Sequence, residues 1–432
     1  MTMTTTRETL YTDEQTQDMF VEAEADAVAD TIWQVMEPLR GDGELAQRFQ
    51  AYVPQTPSLE VPRYALPTRH QNTRHRIFWK ADGKLAGGSY KGRGMFSDVL
   101  GAELEAEQTG EPFTEIVVGS TGNHAAQAAL VGTLREKRVT VYMPEGTVQT
   151  KQDNVRRFGG NIIFLADLDE CLAAAAEHGE RPGARFVHPF DTPRVIAGQG
   201  TAALELYEQL LAHGVDADKT PLEYIVPAGG GGNLTGQAVA LERQLPGSML
   251  RFVQSAGAAA LVGIKNNKPF TGKFDASVDG AAVRNPGAYA SVLARSDRYV
   301  HSGMEATDGQ VAEAMNVVRK FTDFYEPAGV LAMAGILAEM DADIEGARLF
   351  AGHGSGMNTT FDKVAYFAAA GVREGRLDSA EEFDMKSDAR LRLGRMANAL
   401  EEQAMETTAA QEAARQAARP VRSGTRVASG SW

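Results

Sequence analysis

The chain has 432 residues, enough for two or three domains and a sizeable core, with the 43% hydrophobic and 23% charged content of an ordinary soluble globular protein. A formal net charge of −14 argues against a general binder of nucleic acid or of anionic membranes. One cysteine, Cys171, excludes an intrachain disulfide, no zinc-type Cys/His cluster exists, and "LDECLAAAAEHG" reads as a helix that packs its thiol.

The first residues, "MTMTTTRETLYTDEQTQDMF", lack an apolar h-region, so a signal peptide is not expected. No apolar run of about 18 residues follows, so no membrane span is expected, and a reducing cytoplasm is the default location. Residues 1–50 read as a helical extension: "MFVEAEADAVADTIWQVMEPL" spaces Phe20, Ala23, Val28, Ile32 and Val35 helically and stops at Pro38. From residue 51 short β-branched runs alternate with helical patterns. "TEIVVGS" precedes "GNHAAQAALVGTLREK", "RVTVYMP" precedes "TKQDNVRRFG", and "NIIFLA" precedes a helix. "EYIVPA" then leads into "GNLTGQAVALERQL", and "RLFAG" into "MNTTFDKVAYFAAAG". This alternation predicts parallel sheet covered by helices, with ligands at the carboxyl ends of the strands, where the glycine-rich turns fall. Residues 376–432 shift to a charged helical composition and a tail with Arg415, Arg419, Arg422 and Arg426, read as a helical extension ending in disorder.

Three of those turns carry chemistry. In "PAGGGGNLTG", Gly229, Gly230, Gly231 and Gly232 leave backbone N–H groups free to converge at a helix amino end, which suits a phosphate; a tight packing turn is the alternative. In "GSTGNHAAQAAL", Ser120, Thr121, Gly122, Asn123 and His124 gather donors suited to a carboxylate, where a plain N-cap would explain two of them. In "HGSGMN", Ser355 either bonds a ligand's ring nitrogen or caps the next helix. Upstream, "GGSYKGRGM" holds Lys91, an ordinary solvated lysine unless its surroundings lower its pKa.

Taken in order, the Lys91 string, "STGNHA", "GGGG" and "SGMN" resemble the β-family, or fold type II, of pyridoxal-phosphate enzymes, in its threonine/serine dehydratase and ammonia-lyase branch. "MPEGTVQTKQDNVRRFGG", "HPFDTPRVIAGQGTAALEL", "VDGAAVRNPG" and "YEPAGVLAMAG" match further strings of that branch, and the resemblance spans roughly residues 60 to 375. It implies two parallel-sheet subdomains with flanking helices in a catalytic domain over 51–375, the smaller at roughly 95–190. By the resemblance, Lys91 would carry the cofactor and take the substrate Cα proton, and Tyr90 would pack against the ring. Asn123 would bond the ring 3′-oxygen, Ser355 would face the ring nitrogen, and Gly229–Gly232 with Asn233 would hold the phosphate. Residues Ser120 to His124 would hold the substrate carboxylate, with Thr121 on the face opposite the lysine. No metal is expected, because Gln254 and Ser255 stand where the racemases have a metal-binding acid. The implied reaction is β-elimination from a small serine- or threonine-like amino acid to a 2-keto acid and ammonia. Replacement synthases and racemases are the alternatives, and a homodimer or larger homo-oligomer is the implied assembly.

Overall fold

The computed structural model describes residues 14–216, 220–272, 274–275, 277–342 and 346–379. The readings of the chain's first 13 residues and of the C-terminal extension beyond residue 379 lie outside them. In chain order come α1 (Glu14–Met36), α2 (Glu44–Tyr52), β1 (Ser58–Glu60), β2 (Arg76–Ala81) and α3 (Lys91–Thr109). Next are β3 (Glu115–Gly119), α4 (Asn123–Leu134), β4 (Arg138–Pro144), α5 (Gln149–Arg157), β5 (Asn161–Leu165), α6 (Leu168–Gly179) and β6 (Ala184–Phe186). Then follow α7 (Pro193–Ala212), β7 (Leu222–Pro227), α8 (Gly232–Gln244), β8 (Met249–Ser255), α9 (Ala260–Lys265) and α10 (Ala288–Leu293). The last are β9 (Ser302–Ala306), α11 (Asp308–Arg319), α12 (Leu331–Asp341), β10 (Leu349–Gly354) and α13 (Phe361–Arg373).

The strands form two sheets. The larger runs β1-β2-β10-β7-β8-β9, parallel except for the antiparallel edge strand β1; the smaller runs β5-β4-β3-β6 and is wholly parallel. The expected parallel sheets with flanking helices are therefore present. Central strands β7 and β10 are buried along their whole length, as a sheet covered on both faces requires. On β10, Gly352 and Gly354 face Trp79 and leave room for its indole, which a Cβ on Gly354 would meet at 2.6 Å. His353 between them points to the opposite face, toward α8, because successive strand residues alternate. The edge strand β5 departs from the expectation of two-sided cover, since Ile163 and Phe164 are exposed.

Helix α1 ends at Met36, just ahead of Pro38; Ile32 is buried and Val28 and Val35 pack against the core as expected, but the first two positions of the expected face are not buried. Ala25, Ala29, Ile32 and Met36 are buried, whereas Phe20 and Ala23 are exposed. Helix α1 packs against α7, where Gly200 leaves room for Met36: a Cβ there would meet the Met36 side chain at 2.3 Å. Cys171 is buried on α6 against the small sheet, as expected.

Candidate active site

After β2 the chain turns through Gly87 and Gly88, both at positive φ (79° and 73°), and enters α3 at Lys91. Lys91 Nζ donates to the Pro189 carbonyl at 2.6 Å. Burial disfavours its ammonium form and pulls the pKa down to about 7. The positive end of α3 acts in the same sense. Lys91 can thus present a free amine near neutral pH. The neighbouring lysines cannot take its place: Lys80 is fully buried and held by Glu205 and the Thr56 carbonyl, and Lys84 pairs with Asp323 at 3.2 Å. The Tyr90 ring lies 5.1 Å from Lys91 Nζ and meets the His353 ring edge-on.

The Ser355 loop is tied directly to the lysine loop. Tyr90 N–H donates to the Ser355 carbonyl, and Met357 N–H donates to the Gly88 carbonyl, each at 2.9 Å. Ser355 is buried, with its hydroxyl directed toward the Ala328 carbonyl at 3.5 Å. Asn123, at the start of α4, accepts from Asn358 Nδ2 at 2.7 Å and donates to Glu326 Oε1 at 2.6 Å. Burial pushes the Glu326 carboxyl up to about 7, partly offset by the Asn123 bond. A Cβ on Gly356 would lie 1.9 Å from that carboxylate oxygen, so any larger residue there would displace the Glu326 side chain.

The "STGNH" turn leaves the helix α4 without a side-chain cap. Ser120 Oγ accepts from Gly122 N–H at 3.2 Å, and Thr121 is half-buried beside it. His124 is buried, with Nε2 against the Val187 carbonyl at 2.8 Å; burial and then the Lys91 charge pull its pKa down to about 3. Its Nε2 is therefore committed to the core, while Nδ1 is buried without a protein partner.

At the tetraglycine, the amides of Gly229 to Gly232 donate to no backbone carbonyl among the described residues, and α8 has no capping side chain. Gly231 sits at φ 94°. Cβ atoms on Gly230 and Gly232 would meet the ring and carbonyl of Phe190 at 2.5 and 2.3 Å. Segment 187–190 therefore joins three loops: Val187 touches His124, Pro189 touches Lys91, and Phe190 lies under the glycines. The side chain of Asn233 is turned away, toward Pro227 and His353.

Uncapped amides at a glycine-lined helix start, a desolvated lysine and buried polar atoms without protein partners at Ser89, His124 and Gln199 fit one kind of ligand. These residues can hold an anionic aldehyde cofactor, its phosphate at Gly229–Gly232 and its carbonyl carbon at Lys91. Sequence reasoning missed Glu326, although "YEPAG" was in view; a lone glutamate carries no sign that it will be buried. Gln254, read as standing in a metal position, accepts from the amides of Leu261 and Val262. Among the described residues no cluster of His, Cys, Asp or Glu is placed to hold a metal.

Fold and site together define an enzyme built to bind an aldehyde cofactor through a lysine and a phosphate cradle. The chain belongs to the pyridoxal-phosphate dependent enzyme family, whose pattern matches residues 50–351. The biosynthetic L-threonine dehydratase IlvA of Corynebacterium glutamicum is 33% identical over 297 residues, covering 67% of this chain and 65% of that protein. The L-threonine ammonia-lyase of Thermotoga maritima is 30% identical over 270 residues, covering 61% and 63%. Threonine deaminase isoform 2 of Solanum lycopersicum, in its processed form, superposes with a TM-score of 0.66 at 25% identity over 78% of this chain and 92% of that one. The chain spans less than two thirds of the length of these two curated relatives.

Proposed function

We propose that the chain is a lyase that eliminates the β-hydroxyl of threonine or serine, releasing a 2-keto acid and ammonia. The reading is carried by the strapping of Lys91 to a loop whose buried polar group is the neutral Ser355 hydroxyl. The dehydratase and ammonia-lyase relatives support it. Bound pyridoxal phosphate supplies the sink for electrons released at Cα. Lys91, uncharged near neutral pH, takes the Cα proton. Ser120, Thr121 and the amides through His124 hold the substrate carboxylate at the α4 amino end, and Thr121 works on the face opposite the lysine. Tyr90, Asn123 and Ser355 set the ring, and Gly229–Gly232 with the Asn233 amide hold the phosphate. As the Cα proton passes to Lys91, the Cβ–O bond breaks, and the hydroxyl takes up that proton from the Lys91 ammonium and departs as water. Hydrolysis of the released enamine yields the keto acid and ammonia.

Residues 51–375 form the catalytic domain on this reading, with roughly 95–190 as its smaller subdomain. The active form is a cytoplasmic homodimer or larger homo-oligomer. The test incubates the protein with threonine, serine and O-phosphorylated homologues, with and without a thiol. Keto acid and ammonia in equal amounts from a hydroxy amino acid alone are expected. Product formed only when the thiol is present would overturn elimination in favour of replacement.

A further inference from the structure

Beneath the cofactor loops lies a fully buried charged cluster. Arg93, in the first turn of the Lys91 helix, forks onto Asp82 (Nε to Oδ2, 2.7 Å) and Glu205 (Nη1 to Oε1, 2.6 Å). Lys80 donates to Glu205 at 2.6 Å, and the Thr56 hydroxyl donates to Asp82 at 2.5 Å. Two carboxylates face two cations, so the cluster is balanced without any contribution from its fifth member, His353. Such a balance matters in a buried site, where an unpaired charge is costly.

His353 is completely buried and bridges this cluster to the phosphate cradle. Its Nε2 lies 3.0 Å from Asp82 Oδ2. Its Nδ1 faces two amide groups, Asn233 Nδ2 at 3.2 Å and Gln237 Nε2 at 3.1 Å. Those amides are committed as donors: Gln237 Nε2 also donates to Asn233 Oδ1 at 2.6 Å, while its Oε1 accepts from the Tyr224 hydroxyl. Nδ1 must therefore accept, and Nε2 carries the hydrogen and donates to Asp82. Asn233 and Gln237 are one turn apart at the amino end of α8, directly after Gly232.

We propose that His353, in its Nε2–H tautomer, is a positioning residue for the phosphate cradle. It anchors the first turn of α8 to the Asp82–Arg93 pair, and so aims the Gly229–Gly232 amides. The proposal rests on the cofactor-binding reading of the site and is independent of which reaction follows.

The test compares binding of pyridoxal phosphate and of pyridoxal, which lacks the phosphate, to the full-length apoprotein by absorbance titration. His353→Leu removes both bonds, and a role in aiming the cradle predicts that pyridoxal-phosphate affinity falls about ten- to hundredfold while pyridoxal affinity changes little. His353→Asn keeps an acceptor toward Asn233 and Gln237 and should restore most of the preference for the phosphorylated form. Equal loss of both ligands, or an unchanged ratio in a folded leucine variant, would overturn the proposal. If the leucine variant does not fold, ¹⁵N spectra of the wild-type protein decide: a hydrogen on Nδ1 would overturn it, and a bare Nδ1 is expected. Sound cofactor binding without keto acid from threonine or serine would sink the elimination reading alone.

Discussion

At Lys91 the question is which lysine of the loop can be a nucleophile, and the counter-charge separates them. Lys80 is drier still, but its ammonium is matched by Glu205, whereas Lys91, partly buried, has one carbonyl and, among the described residues, no counter-charge within bonding distance. Lys91→Ala should abolish the borohydride-fixed adduct, and a peptide map should find the label at Lys91 and at no other lysine. Because burial lowers its pKa to about 7, capture of the cofactor by apoprotein should rise with pH to half its plateau near 7, well below the range of a solvated lysine. Glu326 gives a prediction of opposite form. Its carboxyl is raised from 4.5 to about 7, so the folded chain holds that proton more tightly than the unfolded one. Its contribution to stability is present at acid pH and is lost as pH rises through that window, by at most about 3 kcal/mol. Glu326→Gln should flatten the apoprotein's urea-denaturation stability between pH 5 and 7 (a window taken roughly from that shift); an unchanged slope would remove the assignment.

At the scale of elements, strand–helix alternation was legible because most of the β-branched runs end in a glycine turn, and those turns hold the loops. The strands β1, β2, β6, β8 and β9 were not read, most being short or mixed in polarity. At α1 the reading of Phe20 and Ala23 as buried failed, whereas Ile32 is buried and Val28 and Val35 pack against the core. The loops' strings were visible one by one, but Glu326 on Asn123 and His353 on Asp82 join residues more than 200 apart, and no single sequence shows such pairing. The glycine loop gives the sharpest test at this scale. A Cβ on Gly232 would sit 2.3 Å from the Phe190 carbonyl, a backbone atom that cannot swing aside. Gly232→Ala should therefore weaken pyridoxal-phosphate binding at least about tenfold while far-ultraviolet dichroism stays near that of the parent. Arg93→Met acts differently: it strands the buried Asp82 carboxylate and leaves Glu205 with Lys80 alone, so a loss of roughly 3–5 kcal/mol in denaturant stability is expected.

Across the whole described molecule, the larger sheet is assembled from both flanks of the smaller one. Strand β2 has β1 on one side, but its parallel neighbour is β10, in register from Arg76 with Leu349 to Ala81 with Gly354. The apolar strand Ile77, Phe78 and Trp79 is thus made early and completed late. On the ribosome it must wait while some 270 further residues emerge, roughly 14 to 54 seconds at ordinary bacterial and eukaryotic elongation rates. The smaller sheet, by contrast, draws only on residues 115–186 and can close long before. The same delay governs cofactor capture, because the loop that straps Lys91 in place follows β10. Stalled nascent chains ending before Leu349 should therefore bind no pyridoxal phosphate, and chaperones that shield exposed strands should be found on them, released once the last strand slots in beside the first.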